Sequence, residues 1–403
     1  MDGLLKRTKK LERKSLLKCY QNSYLSYFLM YNFYYLSWAL FSALISVYLM
    51  DKGFKASEVS LVVSASFLTS MITQPFIGRL NDRYDIKKVN TVLFVIAACG
   101  GLAFMLANSL GMIMISYSIV LMMINGVNPV MEKIATTSPY QYGKIRIWGT
   151  IGYALGSQFA GLLYDKISPK SIFVVFVMTM MFCIIGLLGT TPNQSTAATQ
   201  ETADSKKQSG SILKNRKYLY YLVICAIFYG VTNMGNTFIP TMLTDKGLAV
   251  DITSTILSIA VFCEAPLVLF SNKFMDKIAN KTLLIISISM VCLQCVVYGF
   301  DLPMVFIILA TLMAKHPAGM LYIMINLKVV NTLIDEKNQI TALAFVATLK
   351  NLVSIIFQNF AGQILDITTY SNLYLICLGL MIVALVLVIF FKIDSGNDKQ
   401  LFN

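Results

Sequence analysis

The sequence predicts an all-α integral membrane protein, with twelve transmembrane helices in two pseudo-symmetric six-helix bundles. Three observations carry this reading. Only 13% of the 403 residues are charged and 57% are hydrophobic, whereas an ordinary soluble domain carries about 25% charged residues. The apolar residues fall in runs of about 20 or more, the length that crosses a bilayer. The runs divide six and six about one polar stretch, and short motifs in one half return in the other.

The chain begins with a basic leader, 1–22, which holds Lys6, Arg7, Lys9, Lys10, Arg13, Lys14 and Lys18. The apolar run behind it is too long for a cleavable signal and has no small-residue cleavage site, so the leader is expected to stay attached. Spans follow at 23–50, 57–81, 89–108, 110–132, 144–164 and 171–190, forming an N-terminal bundle over 23–191. Residues 192–217 are rich in Ser, Thr, Gln and Lys and read as a disordered cytoplasmic linker. Spans at 218–244, 252–275, 282–299, 303–327, 339–365 and 371–391 make a C-terminal bundle over 218–392, before a cytoplasmic tail at 393–403. Several runs exceed the minimum length, so tilt is expected.

The net charge of +13 is distributed as a membrane protein distributes it. Basic residues gather in the leader, the linker, the tail and alternate loops. Only Lys52, Lys55, Lys166, Lys170 and Lys246 fall in loops on the other side. Both termini are therefore expected in the cytoplasm. Nucleic acid is excluded as a partner, because the basic residues form short clusters and no continuous face. Cysteines such as Cys99, Cys183, Cys225, Cys263 and Cys377 lie in apolar runs, as small hydrophobes do. Cys292 and Cys295 form a CxxC, but no second pair or histidine cluster accompanies them, so packing is the reading rather than zinc. No G-x-x-x-x-G-K-[ST] loop supports a primary pump. No metal-ligand cluster or nucleophile–histidine motif supports an enzyme. No cofactor or metal is expected.

The internal repeat is specific. Phe159-Ala160-Gly161-Leu162-Leu163-Tyr164-Asp165 ends span 5, and Phe360-Ala361-Gly362-Gln363-Ile364-Leu365-Asp366 ends span 11. Asp51-Lys52-Gly53-Phe54 follows span 1, and Asp245-Lys246-Gly247-Leu248 follows span 7. Duplication of this kind marks secondary transporters, whose sites lie near the midplane between repeats.

With Gly78-Arg79-Leu80-Asn81-Asp82-Arg83 and Lys87-Lys88 after span 2, the chain resembles the major facilitator superfamily and its G-x-x-x-D-R-x-G-R-[RK] loop. Tyr84-Asp85-Ile86 departs from the second half of that loop, and Phe274-Met275-Asp276-Lys277 after span 8 is a degenerate counterpart. The resemblance implies that Gly78, Asp82 and Arg83 belong to a conformational-switch loop. Tyr142 to Gly156 resembles the start of helix 5 in lactose permease and its oligosaccharide–proton symporter relatives. That likeness implies sugar-binding roles for Glu132 and Arg146, a ring-stacking role for Tyr153, and a buried lysine at Lys350 within Thr348-Leu349-Lys350-Asn351-Leu352. The permease's other charged partners are not matched. Span 7 has Asn233 and Asn236, span 9 has Leu293-Gln294, and the proton-carrying glutamate of span 10 falls at or beside His316.

Charge inside the membrane is costly, about 2.5–3.5 kcal/mol per side chain at the helix centre, and is confined to Glu132, Arg146, Glu264, Lys315 and Lys350. Glu132 and Arg146 read either as a carboxylate and guanidinium fork for solute hydroxyls or as a salt bridge at the cytoplasmic edge. Arg146, Thr150, Tyr153 and Ser157 share one polar stripe, while Gly149, Gly152, Gly156 and Ala160 line a face suited to close packing. Glu264 has no charged neighbour within two turns of its own helix and is a candidate proton carrier, with Lys350 expected as its partner. His316, the single histidine, suits proton exchange or plain hydrogen bonding beside Pro317. Asn32 and Trp38 on span 1, with Asn233 and Asn236 on span 7, are candidate solute contacts.

The expected function is alternating-access symport of a sugar or similar polyhydroxylated solute with protons, by a monomer in a bacterial cytoplasmic membrane. Alternatives are a nucleoside symporter, an exporter of drugs or sugars, and a solute sensor that does not turn over.

Overall fold

A computed structural model describes residues 20–191, 214–335 and 338–393. The leader up to residue 19, most of the linker (192–213) and the tail from 394 lie outside the described residues, so the expectations for them are not addressed by it.

Among the described residues, twelve helical segments cross the molecule. They are α1 (Tyr24–Asp51), α2 (Ala56–Arg83), α3 (Ile86–Leu106), α4 (Leu110–Thr136), α5 (Tyr142–Lys166), α6 (Ser171–Gly189), α7 (Arg216–Asp245), α8 (Val250–Leu269), α9 (Asn280–Gly299), α10 (Met304–Leu333), α11 (Gln339–Ile367) and α12 (Tyr370–Phe390). Of these, 11 are long and apolar enough to cross a membrane by composition alone. The exception is α5, which carries Lys144, Arg146, Asp165 and Lys166 and so many glycines that its own sequence is only weakly apolar. It packs against α1 and α8, where its glycines allow close approach.

Local sequence sets the helix ends. Ser23, Asp85, Ser109 and Asn215 cap α1, α3, α4 and α7 by accepting from free backbone N–H groups. The repeated Asp-Lys-Gly loops make the same turn twice. Gly53 and Gly247 lie at φ +88° and +94°, which favours glycine. In each, the residue after the glycine donates back to the helix, Phe54 to Leu49 and Leu248 to Leu243. That is the helix-ending pattern with a left-handed glycine.

Packing follows the small residues. α1 lies between α5 and α6, α2 against α4, α7 against α11, and α9 against α12. A Cβ on Gly152 or Gly156 would collide with the carbonyls of Asn32 or Leu36, so the glycine face of α5 is what seats α1.

Spans 8 and 10, expected as continuous helices over 252–275 and 303–327, are broken. α8 runs Val250–Phe262 and restarts at Ala265–Leu269 and Ser271–Phe274; α10 runs Met304–Ala314 and restarts at Pro317–Leu333. Pro266 and Pro317 explain this, since each lacks an N–H and its ring clashes with the carbonyl four residues back. α1 also breaks, after Ser42, whose hydroxyl donates to the Trp38 carbonyl.

The two halves touch through α2 with α11 and α5 with α8. Among the described residues, the hydrogen bonds joining the halves gather toward one end, that of the α1–α2, α5–α6, α7–α8 and α11–α12 connections. Gly161 meets Ser254 there and Gly362 meets Ser60. At the other end, Gly78 and Gly143 have nothing within 4 Å of where a Cβ would stand.

Candidate solute-binding cavity

Between the halves lies a cavity of 460 Å³, within the usual range for small-molecule sites, about 300–1,000 Å³. Trp38, Tyr117, Tyr153 and Phe67 supply aromatic wall; Gln74, Asn125, Asn128, Asn233, Asn236 and Asn351 supply amides; Lys315, His316 and Lys350 supply nitrogen bases. Aromatic faces with convergent amides suit a solute that has both a ring face and hydroxyl edges.

Of the candidate solute contacts, Trp38, Tyr153, Asn233 and Asn236 line this cavity. Trp38 and Tyr153 meet edge to face at 6.5 Å, and Tyr153 also meets His316 at 6.1 Å. Asn233 donates to Ser354 Oγ at 2.6 Å, which fixes its amide against α11. Asn32 is not in the cavity. It is 4% exposed and packs on Gly152, with Oδ1 lacking a hydrogen-bond partner among the described residues.

Glu132 and Arg146 are brought together, with Arg146 Nε 3.9 Å from Glu132 Oε1, but neither is among the residues lining the cavity. Three phenols surround the carboxylate. Tyr31 and Tyr35 donate to Oε1 at 2.6 and 2.8 Å, and Tyr142 donates to Oε2 at 2.8 Å. The guanidinium stands over the Tyr35 ring at 5.6 Å, and Tyr35 stacks on Trp38 at 6.0 Å. The charged pair therefore reaches the cavity through an aromatic side chain.

In the other half, the helix breaks carry the charge. Glu264 stands at the α8 break and His316 at the α10 break, with Glu264 Oε2 3.9 Å from His316 Nδ1. Lys315 Nζ lies 3.2 Å from His316 Nε2. Lys350 is not the partner of Glu264. Its ammonium stands over the Tyr229 ring at 5.3 Å, and His316 takes the expected place beside the carboxylate.

In the expected switch loop, Asp82 and Arg83 are exposed at the end of α2, and the helix ends at the extended Tyr84. Asp85 accepts from Lys88 N at 2.9 Å and caps α3, a role that accounts for the Tyr84-Asp85 departure.

Sequence reasoning gives Lys315 no role and does not single out Gln74, Asn125 or Asn128. Each is a polar residue inside an apolar run, and that is the available signal. What it cannot supply is the face, because spans 2 and 4 carry other small polar residues that are buried in helix contacts, such as Ser64 and Ser116.

A two-half helical bundle with a polar cavity between its halves, gathered shut at one end, defines a membrane transporter. The chain belongs to the MFS_1-like family, whose model matches residues 24–326. It is 24% identical to "Uncharacterized transporter YwbF" of Bacillus subtilis, over 86% of this chain and 88% of that one. It is 23% identical to a maltose permease of Geobacillus stearothermophilus, over 91% and 95% of the two chains. Among solved structures, a point mutant of the nucleoside transporter NupG superposes with a TM-score of 0.81 at 16% identity, covering 91% of this chain and 99% of that one.

Proposed function

We propose that the protein is a proton-coupled symporter of a sugar or similar polyhydroxylated solute, working as a monomer by alternating access in a bacterial cytoplasmic membrane. The observation that carries this is the meeting of two broken helices, at Glu264 and His316, beside a cavity lined by amides and aromatic rings. Broken helices at mid-membrane are where secondary transporters place solute and coupling ion. The maltose permease relative supports a sugar as the cargo.

In this reading Trp38 and Tyr153 face the solute ring, and Asn233 and Asn236 take its hydroxyls. Glu132 and Arg146 act through Tyr35, holding the Trp38 wall in place. Glu264 takes up and releases the proton, with His316 as its nearest basic partner, and Lys350 completes the polar wall. The basic loops put both termini in the cytoplasm, so the gathered end faces outward and the conformation is open inward. Gly78, with Asp82 and Arg83, which are exposed here at the end of α2, would engage the other half when the inner end closes.

The test is solute-induced proton movement in energy-depleted, lightly buffered cells. External alkalinisation on adding one saccharide, absent in Glu264→Gln, is expected. The same response to nucleosides alone would transfer the aromatic wall to a nucleobase. Silence to both panels, with the protein present in the membrane, would remove the proton-symport reading.

A further inference from the structure

The charges around the cavity do not balance. Lys315 and Lys350 line it, and no aspartate or glutamate does. Glu264 stands behind the wall beside His316. Among the described residues, neither lysine has a carboxylate within 4.0 Å. Lys350 has a ring face as its neighbour, and Lys315 has an imidazole. With Glu264 ionised, two ammonium groups and one carboxylate leave one positive charge in surroundings where an unpaired charge is costly. A neutral sugar cannot offset it.

We propose that the transported solute carries one carboxylate group, and that Lys315 and Lys350 provide its seat. The inference rests on the reading of the cavity as a site for a polyhydroxylated solute, and it narrows that class to sugar acids. The magnitude of the charge selects among anions. With Glu264 ionised, a single negative charge restores neutrality, whereas a phosphate monoester, at about −1.5 to −2, would leave that state over-neutralised. A lysine pair also suits this task, because each ammonium is a point charge on a flexible stem that follows its ligand as the halves move.

The test uses the full chain in lipid nanodiscs, on a Trp148→Phe background that leaves Trp38, in the cavity wall, as the remaining tryptophan. Quenching of Trp38 is titrated with neutral hexoses and disaccharides, the corresponding hexuronates, hexose phosphates, and carboxylic acids without hydroxyls. Hexuronates are expected to bind at least about tenfold tighter than their parent hexoses. That preference should collapse in Lys315→Gln and Lys350→Gln and return in Lys350→Arg, which shows that the loss follows charge rather than folding. Neutral sugars binding as tightly as their acids would overturn the inference and leave the sugar reading standing. Hexose phosphates binding tightest would overturn the single-charge assignment. Binding of simple carboxylic acids but no sugar acid would overturn the polyhydroxyl reading and keep the charge. Absence of binding across the panel would overturn both.

Discussion

The two halves agree at one end of the molecule and part company away from it. At the gathered end the repeated Phe-Ala-Gly segments do the same job twice. Gly161 lets α5 close on α8, Gly362 lets α11 close on α2, and the aspartate four residues on accepts from the first turn of the facing helix. Away from that end the N-terminal half holds a carboxylate, near the close of the unbroken α4, surrounded by three phenols and an arginine. The C-terminal half holds a carboxylate with one loose partner, on a broken helix. Duplication has kept the closing machinery in both halves and let the chemistry diverge. The surrounded carboxylate suits architecture, and the loosely held one suits a group that must change protonation state.

Neutralising each carboxylate in turn puts this contrast under the greatest strain. Glu264→Gln is expected to abolish uphill accumulation while exchange of solute across the membrane continues. Its unfolding midpoint should move less than that of Glu132→Gln, since Glu264 has one partner at 3.9 Å whereas three phenols and an arginine surround Glu132. Glu132→Gln should do the reverse. Breaking a buried pair costs about 3–5 kcal/mol, and with Glu132 29% exposed roughly half of that is expected. Thermal unfolding in detergent together with counterflow measures both. If Glu132→Gln unfolds like the parent and Glu264→Gln unfolds early, the roles are exchanged.

Much of this is legible in the sequence because membranes make strong demands. Twelve spans, the repeat and the close-packing face of α5 follow from run length, spacing and glycine. The Glu132–Arg146 pairing is legible as two ions in adjacent spans; its phenol cage is not, because Tyr31, Tyr35 and Tyr142 come from helices 1 and 5 and meet only on folding. Burial alone pairs Lys350 with Glu264, yet the break at Pro317 turns His316 to that carboxylate instead. Depth makes Asn32 a candidate solute contact, but it points to a different side of its helix from Trp38 and meets Gly152. Depth follows from sequence position, whereas facing is decided by neighbours.

The agreement at the gathered end gives a second, smaller test. Gly161→Ala places a methyl against Ser254, and Gly362→Ala places one against Ser60. Overpacking of this kind costs about 1–3 kcal/mol, borne only by the state in which these helices touch. Each variant should therefore spend more time open at that end. The readout is labelling, by an impermeant maleimide added outside, of a cysteine placed at Asn236 in a chain with its own cysteines replaced. Unchanged labelling in both would separate these contacts from closure.

The smallest effect is the most discriminating. Asp165 Oδ2 accepts from Asp251 N at 2.7 Å, and Asp366 Oδ1 accepts from Ser57 N at 3.2 Å. Both contacts set a carboxylate at the positive end of a helix in the opposite half. Asparagine keeps the size and one acceptor oxygen, so Asp165→Asn and Asp366→Asn remove the charge alone. A carboxylate at a helix N-terminus is worth about 0.3–1 kcal/mol, which is about a two- to fivefold shift toward the open state. The two contacts lie in separate helix pairs, so the double variant should show the product of the single shifts. The shorter Asp165 bond predicts the larger share, reduced by Lys166, which holds Asp251 at 3.3 Å and shields the same helix end. Equal single effects that multiply would make the two latches equivalent devices. A shift from one alone would extend the divergence of the halves to the end where their sequences still match.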